Sequence, residues 1–289
     1  MKGPCPCGSG KPAHLCCFNG HNWHKPPAVL GLKALPPTER VKKCYIKELG
    51  SCVPPISGEH IISDSVCQIL MGDGEFSISG LPWLEAGEVK IIAPPKAKCL
   101  CTKHNSALSP LDAAARYFFA SLKSYLEHDA GSRHAIISGH DLERWLLKTA
   151  KAAAVSRNLA RGREPLSGAF SGDNAILDML DGPRHWPEGA GLYCIMNTGD
   201  LTENTARFQF QPLTNERDDI EGLAVNILGF RFVLLLETQD LNKYPGLCDA
   251  KYRPGRILIS YPASTNWVTL SWDDGKVHEA LTVQWVRRR

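Results

Sequence analysis

Residues 98–112 read KCLCTKHNSALSPLD and join a group of metal-binding residue types to a helical pattern. Thiolate and imidazole side chains, which zinc prefers, stand here within a few positions of one another. From Ser109-Pro110 onward, the sequence LDAAARYFFASLKSYLEH places apolar residues on one face of a helix. Proline suits a first helical turn, where its missing N–H is not needed. We therefore predict a helix that begins near Pro110 and directly follows a metal-binding segment.

A second cysteine-rich segment, MKGPCPCGSGKPAHLCC, opens the chain at residues 1–17. It is too short to fold around an apolar core, so its four thiolates predict one closed tetrahedral zinc site, formed by Cys5, Cys7, Cys16 and Cys17. Glycine at positions 8 and 10 suits a tight turn towards the metal. A disulfide-bonded or disordered tail is the alternative. The CPCGSGK start and the double cysteine resemble the SEC-C motif, a zinc knuckle, and this resemblance implies an adaptor for proteins or nucleic acids.

The composition is that of an ordinary globular protein, with 289 residues, 43% apolar and 22% charged. This length allows two domains besides the knuckle. The most apolar run, around Phe230, is interrupted by Arg231 and is too short to span a bilayer. Eleven cysteines, most of them in metal-like clusters before residue 102, fit a reducing compartment. We therefore expect a cytoplasmic protein with no membrane association.

Charge is distributed unevenly along the chain. Residues 1–110 carry 12 Lys and Arg against 8 Asp and Glu, whereas the remainder carries 21 against 22. The basic excess of the N-terminal part fits a phosphate-rich partner, although a solvated surface explains it nearly as well.

The sequence divides into four regions and predicts an α+β fold. Residues 1–24 form the zinc knuckle, 25–40 a Pro-rich linker, 41–128 a small mixed domain, and 129–289 a helical segment with a C-terminal antiparallel β-rich region. In the mixed domain, short pieces such as CQILM at 67–71 predict strands and loops.

Two patterns in the last region give sharper predictions. A helix is expected from about Asp141 to Leu159, and its basic stripe of Arg144, Lys148 and Lys151 is expected on the solvent side. Asp274-Gly275, flanked by alternating apolar residues, predicts a two-residue hairpin.

Three elements of the middle domain together resemble an HNH endonuclease of the ββα-metal family. They are Cys44-x7-Cys52, GEHIIS at 58–63, and the segment at 98–112. The resemblance implies that His60 is catalytic and that Glu59 and Asn105 bind the catalytic metal. It also implies a second structural zinc site, held by Cys44, Cys52, Cys101 and His104. Two alternatives stay open, because His104 could bind the catalytic metal instead, and Cys99 could replace or join Cys101.

These residue types suit phosphodiester hydrolysis. An imidazole such as that of His60 can take a proton from water near neutral pH. The oxygen ligands of Glu59 and Asn105 favour Mg²⁺ or Mn²⁺. Neighbours on a regular strand point to opposite faces, so Glu59 and His60 require an irregular hairpin to converge. Asp112, two helical turns beyond Asn105, is expected to lie too far away to share the ion.

The sequence thus predicts a metal-dependent DNA endonuclease or nickase, with structural zinc and a Mg²⁺ or Mn²⁺ cofactor, of the kind that in this family serves phage defence or restriction. The alternative is a catalytically inactive, zinc-stabilised adaptor that binds a nucleic acid or a protein through the knuckle or the C-terminal region. A redox role for the first four cysteines is a third interpretation, but nothing near them resembles a thioredoxin-type site.

Overall fold

The computed structural model describes residues 3–33, 39–72, 74–81, 88–128, 130–161, 164–166, 174–182, 186–196, 207–237, 243–244, 247 and 249–284. The helices are α1 (Asp64–Met71), α2 (Thr102–Glu127), α3 (Gly139–Val155) and α4 (Asn174–Asp181). The strands before α3 are β1 (Ile56–His60), β2 (Phe76–Ser79), β3 (Glu88–Ile91), β4 (Lys96–Cys101) and β5 (His134–Ser138). The later strands are β6 (Ala160–Arg161), β7 (Glu164–Pro165), β8 (Gly191–Met196), β9 (Arg207–Thr214), β10 (Ile220–Ile227), β11 (Phe230–Leu235), β12 (Lys251–Tyr252), β13 (Arg256–Ser260), β14 (Thr265–Ser271) and β15 (Ala280–Gln284).

Strands β1 and β4 form a two-stranded antiparallel sheet, and α2 begins immediately after β4. The register of the pair shifts between Ser57 and Glu59. Glu59 and His60 themselves pair regularly with Ala97 and Lys96, so this shift does not supply the convergence of the two side chains that the resemblance requires. The prediction that the segment CQILM forms a strand is wrong, because this segment lies in α1. The β1–β4–α2 unit is the part of the fold that positions the candidate site.

Helix α2 starts eight residues before the predicted start at Pro110. Cys101 is its N-cap, and the sulfur accepts a hydrogen bond from the backbone N–H of His104 at 3.5 Å. Pro110 is therefore inside the helix, where its side chain is exposed. The prediction was wrong because it gave the proline more weight than this cap, which satisfies an N–H of the first turn.

A seven-stranded sheet, in the order β12-β8-β11-β10-β9-β2-β3, joins the mixed region to the C-terminal region. The joining pair is β2 and β9, which run parallel. Side chains from α2, α3 and this sheet share one apolar core. The observed class is thus α+β, and this sheet crosses the domain limit that we predicted at residue 128.

The prediction of a hairpin across Asp274-Gly275 is wrong, because β14 and β15 do not pair with each other. Strand β13 lies between β14 and β15, in a four-stranded sheet ordered β15-β13-β14-β5 that contains parallel pairs. Contacts within the connecting segment explain the difference: Trp272 Nε1 donates to the carbonyl of Pro254 at 3.0 Å, and Asp274 accepts from Arg253 Nη1 at 3.0 Å. These contacts hold the connecting segment across the end of the sheet, so that it does not fold into a tight turn.

Helix α3 is buried on all sides from Gly139 to Ala153. The expectation that Arg144, Lys148 and Lys151 face solvent is therefore wrong, since their exposed fractions are 0%, 3% and 3%. The Arg144 guanidinium is paired inside the protein, where it donates to Asp141 Oδ1 at 2.6 Å and to the carbonyl of Ala28 at 2.7 Å. Burial of a charge is tolerated when such partners are present.

The first part of the predicted linker lies against the fold. The backbone N–H of Ala28 donates to Asp141 at 3.0 Å, and that of Leu32 donates to Asp181 at 3.3 Å. Residues 34–38 of this linker lie outside the described residues. Among the helices that the structure describes, none combines the length and apolar character needed to cross a bilayer.

Candidate functional site

Four buried ligand atoms meet at the base of the β1–β4–α2 unit. They belong to Cys44, Cys52, Cys101 and His104, and all lie within 4.8 Å of one another. His104 Nδ1 is 3.3 Å from the sulfurs of Cys44 and Cys101 and 3.7 Å from that of Cys52. Tetrahedral zinc, with bonds of about 2.3 Å to sulfur and about 2.0 Å to nitrogen, would separate sulfur from nitrogen by about 3.5 Å. The group can hold a metal ion, and its ligand set favours zinc.

Local backbone geometry brings these ligands together. The N–H of Tyr45 donates to the carbonyl of Cys99 at 3.0 Å, which ties the segment around Cys44 to β4. Gly50 has a φ of 77°, a conformation that favours glycine, and turns the chain back towards Cys52. Cys101 and His104 are held by the first turn of α2. This arrangement assigns His104 and Cys101 to the structural group, whereas the buried Cys99 lies outside it.

The pKa shifts of these groups are compatible with a site that can hold a metal ion. Burial raises the pKa of Cys44 to about 12. Burial also acts to raise the pKa of Cys101, but hydrogen bonds from the backbone of His104 and Val53 outweigh it, so this pKa is lowered. Burial lowers the pKa of His104, which favours the neutral imidazole that binds metals. A bound cation would favour the thiolate forms.

The second group of ligands is the predicted N-terminal one, Cys5, Cys7, Cys16 and Cys17. The Cys16 sulfur is 3.5 Å from that of Cys7 and 3.6 Å from that of Cys17. Burial acts to raise the pKa of Cys7, but hydrogen bonds from Ser9 and from the neighbouring cysteines lower it to about 6. This group, too, can hold a metal ion such as zinc.

The N-terminal group lies on α2 and β5. The carbonyl of Pro6 accepts hydrogen bonds from the Tyr117 hydroxyl at 2.6 Å and from the backbone N–H of Ile136 at 2.9 Å. Trp23 contacts the ring of His134 edge to face at 4.9 Å. The knuckle therefore packs against the rest of the fold.

Glu59 lies on the inner side of the bulged strand β1. Its side chain is 4% exposed, and Oε1 is 2.7 Å from Nζ of Lys148, on α3. The same Nζ is 2.6 Å from each carboxylate oxygen of Asp112, on α2. Burial raises the pKa of Glu59, and the Lys148 ammonium opposes this shift. Glu59 is thus half of a buried ion pair.

His60 is the last residue of β1 and is partly exposed. It lies opposite Lys96 in the β1–β4 register. Burial lowers the pKa of His60, and the positive charge of Lys96 lowers it further. The imidazole is therefore neutral at neutral pH, in the form that accepts a proton.

Asn105, the other implied ligand of the catalytic metal, is partly exposed on α2. It precedes Asp112 by seven residues, which is about 10 Å along a helix axis. The Lys148 ammonium contacts both Asp112 and Glu59. Asp112, expected to lie too far from Asn105 to share an ion, therefore meets Glu59 through a lysine.

The implied Mg²⁺ or Mn²⁺ does not fit the surroundings of Glu59. The carboxylate expected to bind the ion instead faces an ammonium group.

Sequence reasoning missed Lys148 as a neighbour of this site. Trp145, one turn earlier on α3, also reaches it, since its Nε1 donates to Ser63 Oγ at 2.7 Å. The hydroxyl of Ser63 in turn donates to Asp112. The spacing of Lys148 with Arg144 indicated that the two residues share one helix face, but not whether that face is buried or exposed.

Comparisons with known proteins add no family to this description. No protein-family model, no curated protein and no solved structure matches the chain.

Proposed function

We propose that the chain hydrolyses phosphodiester bonds in DNA, as an HNH-type endonuclease or nickase, with His60 as the base that activates water. The observation that carries the proposal is the position of His60: it is a partly exposed imidazole at the end of a bulged strand, with a lowered pKa. The four-ligand group at the base of the unit would fix the strands and helix that present it. In family terms, such an enzyme serves phage defence or restriction.

The reaction needs a base and a positive charge near the phosphate. Neutral His60 takes a proton from water as the oxygen attacks phosphorus; a new P–O bond forms while the bond to the 3′ oxygen breaks, and that oxygen takes a proton from solvent. Lys96 is exposed and lies opposite His60, so its ammonium can contact the scissile phosphate. No step of this reaction uses a divalent ion, because the carboxylate of Glu59 faces Lys148.

The surface around the unit supports a phosphate-rich partner. Exposed lysines lie on β4, at the start of α2 and in the turn before Cys44: Lys42, Lys43, Lys96, Lys98 and Lys103. Cationic groups of this kind bind the sugar-phosphate backbone without sequence preference.

The test compares plasmid nicking by the full-length wild type, His60→Ala and His21→Ala, with no added divalent ion and with Mg²⁺ or Mn²⁺. His21 is an exposed histidine of the knuckle and serves as the matched control. We expect wild type and His21→Ala to nick alike, and His60→Ala to lose about 10²–10⁴-fold in rate while it binds DNA equally well. The wild-type rate should rise with pH through the lowered pKa of His60 and level off near neutrality. Equal nicking by His60→Ala would contradict the proposal.

The second candidate function is a binding adaptor without catalysis. It is favoured by the ion pair of Glu59 with Lys148, which leaves the β1–β4–α2 unit without the divalent ion that the resemblance implies. DNA binding by all three proteins, with no nicking by any of them, would support this function.

A further inference from the structure

The buried cluster of Lys148, Glu59 and Asp112 lies beside His60 and joins three separate parts of the fold. Glu59 comes from β1, Asp112 lies about three turns into α2, and Lys148 comes from α3. The exposed fractions of the side chains are 3% for Lys148, 4% for Glu59 and 27% for Asp112. An ammonium this deeply buried requires negative partners, and the two carboxylates supply them.

Both carboxylates hold the Lys148 ammonium. Its Nζ is 2.7 Å from Glu59 Oε1 and 2.6 Å from each oxygen of Asp112. Because the Lys148 side chain is 3% exposed, the phosphate of a substrate at the surface does not reach it. What it can do is fix where the carboxylate of Glu59 lies.

We infer that Lys148 is a positioning residue whose ammonium takes, at Glu59, the place of the divalent cation that the HNH resemblance assigns to Glu59 and Asn105, with Asp112 as its second carboxylate partner. The inference rests on the proposed function in one respect: that function identifies the surroundings of Glu59 and His60 as the catalytic centre. Both carboxylates contact the same cationic group, as they would contact a shared metal ion. Ser63, which donates to Asp112 and accepts from Trp145, holds the second carboxylate in place.

This inference predicts that the chain binds no divalent ion through Glu59 while Lys148 is present, and that loss of the ammonium creates such a site. Two buried carboxylates without a cation attract one strongly, and oxygen ligands suit Mn²⁺. A purely structural ion pair would also be lost with Lys148, but it would not specify where a metal binds.

The experiment measures Mn²⁺ binding to the full-length, zinc-loaded chain by electron paramagnetic resonance, without DNA. We expect Lys148→Met to bind one Mn²⁺ at least tenfold more tightly than wild type. Lys148→Arg, which keeps the charge, should bind as wild type does. Lys151→Met is the matched control, because Lys151 is buried to the same 3% on the same helix. Unchanged Mn²⁺ affinity in folded Lys148→Met would overturn the inference.

A second pair of variants covers the case in which Lys148→Met does not fold. In an otherwise wild-type chain, Glu59→Gln and Asp112→Asn should leave Mn²⁺ affinity unchanged, since neither carboxylate binds an ion there. A wild-type Mn²⁺ site that either variant weakens tenfold would also overturn the inference. Because no readout involves cleavage, failure of His60→Ala to stop nicking would contradict the proposed function alone.

Discussion

The two groups of metal-binding residues differ in how much of the chain each one ties together. The first lies within residues 5–17, and two of its cysteines, Cys7 and Cys16, are partly exposed. The second joins residues 44 and 52 to 101 and 104, and all four of its ligands are buried. A metal in the first group closes a short surface loop, whereas one in the second fixes two chain segments that are far apart in sequence. The same chemistry would therefore stabilise a local unit in one place and the candidate site in the other.

Loss of a ligand from the second group should have the largest effect. We expect Cys101→Ser to unfold the β1–β4–α2 unit, because structural zinc contributes about 10–16 kcal/mol in small zinc-binding peptides, and whole domains have only about 5–15 kcal/mol of stability. Circular dichroism and zinc content per chain would measure the loss. Cys99→Ala is the matched control, since Cys99 is also buried on β4 but lies outside the group. A folded Cys101→Ser chain with unchanged stability would show that this group is not a structural metal site.

Loss of a ligand from the first group should have a smaller, local effect. In Cys16→Ser we expect one zinc ion fewer per chain and rapid proteolysis within residues 1–24, with the thermal unfolding of the remaining chain largely preserved. The physical reason is that this group lies within one short segment and forms an apolar cluster of its own, separate from the main core. Mass spectrometry of limited digests would locate the cuts. Global unfolding of Cys16→Ser would remove the distinction between the two groups.

The first ligand group could be predicted from its own cysteine spacing, because such clusters are rare and chemically specific. The second came from the resemblance to HNH endonucleases, which left the roles of Cys99 and His104 open. The β-strands of residues 191–284 could also be predicted, since alternation of apolar residues is a local signal. The contact between Glu59 and Lys148 could not, because it depends on how α3 packs against β1, far apart in the chain. Lys148 illustrates the ambiguity: a charge spaced by one turn from Arg144 suits a solvent-facing stripe equally well. Only tertiary packing decides that the stripe is buried and paired.

The smallest effect concerns how the first group packs on α2. Gly8 and Gly10 have nearly the same φ, 74° and 73°, so alanine is strained by a similar amount at both positions. They differ in surroundings: a Cβ at Gly8 would lie 2.9 Å from the Tyr117 ring, whereas a Cβ at Gly10 would have nothing within 4 Å. We expect both alanine variants to lose about 1 kcal/mol from the backbone alone, and Gly8→Ala to lose more because the ring must shift. Zinc affinity of the first group, measured by chelator competition, should therefore fall further in Gly8→Ala than in Gly10→Ala. Equal losses would mean that the close approach of Gly8 to the Tyr117 ring does not affect metal binding by this group.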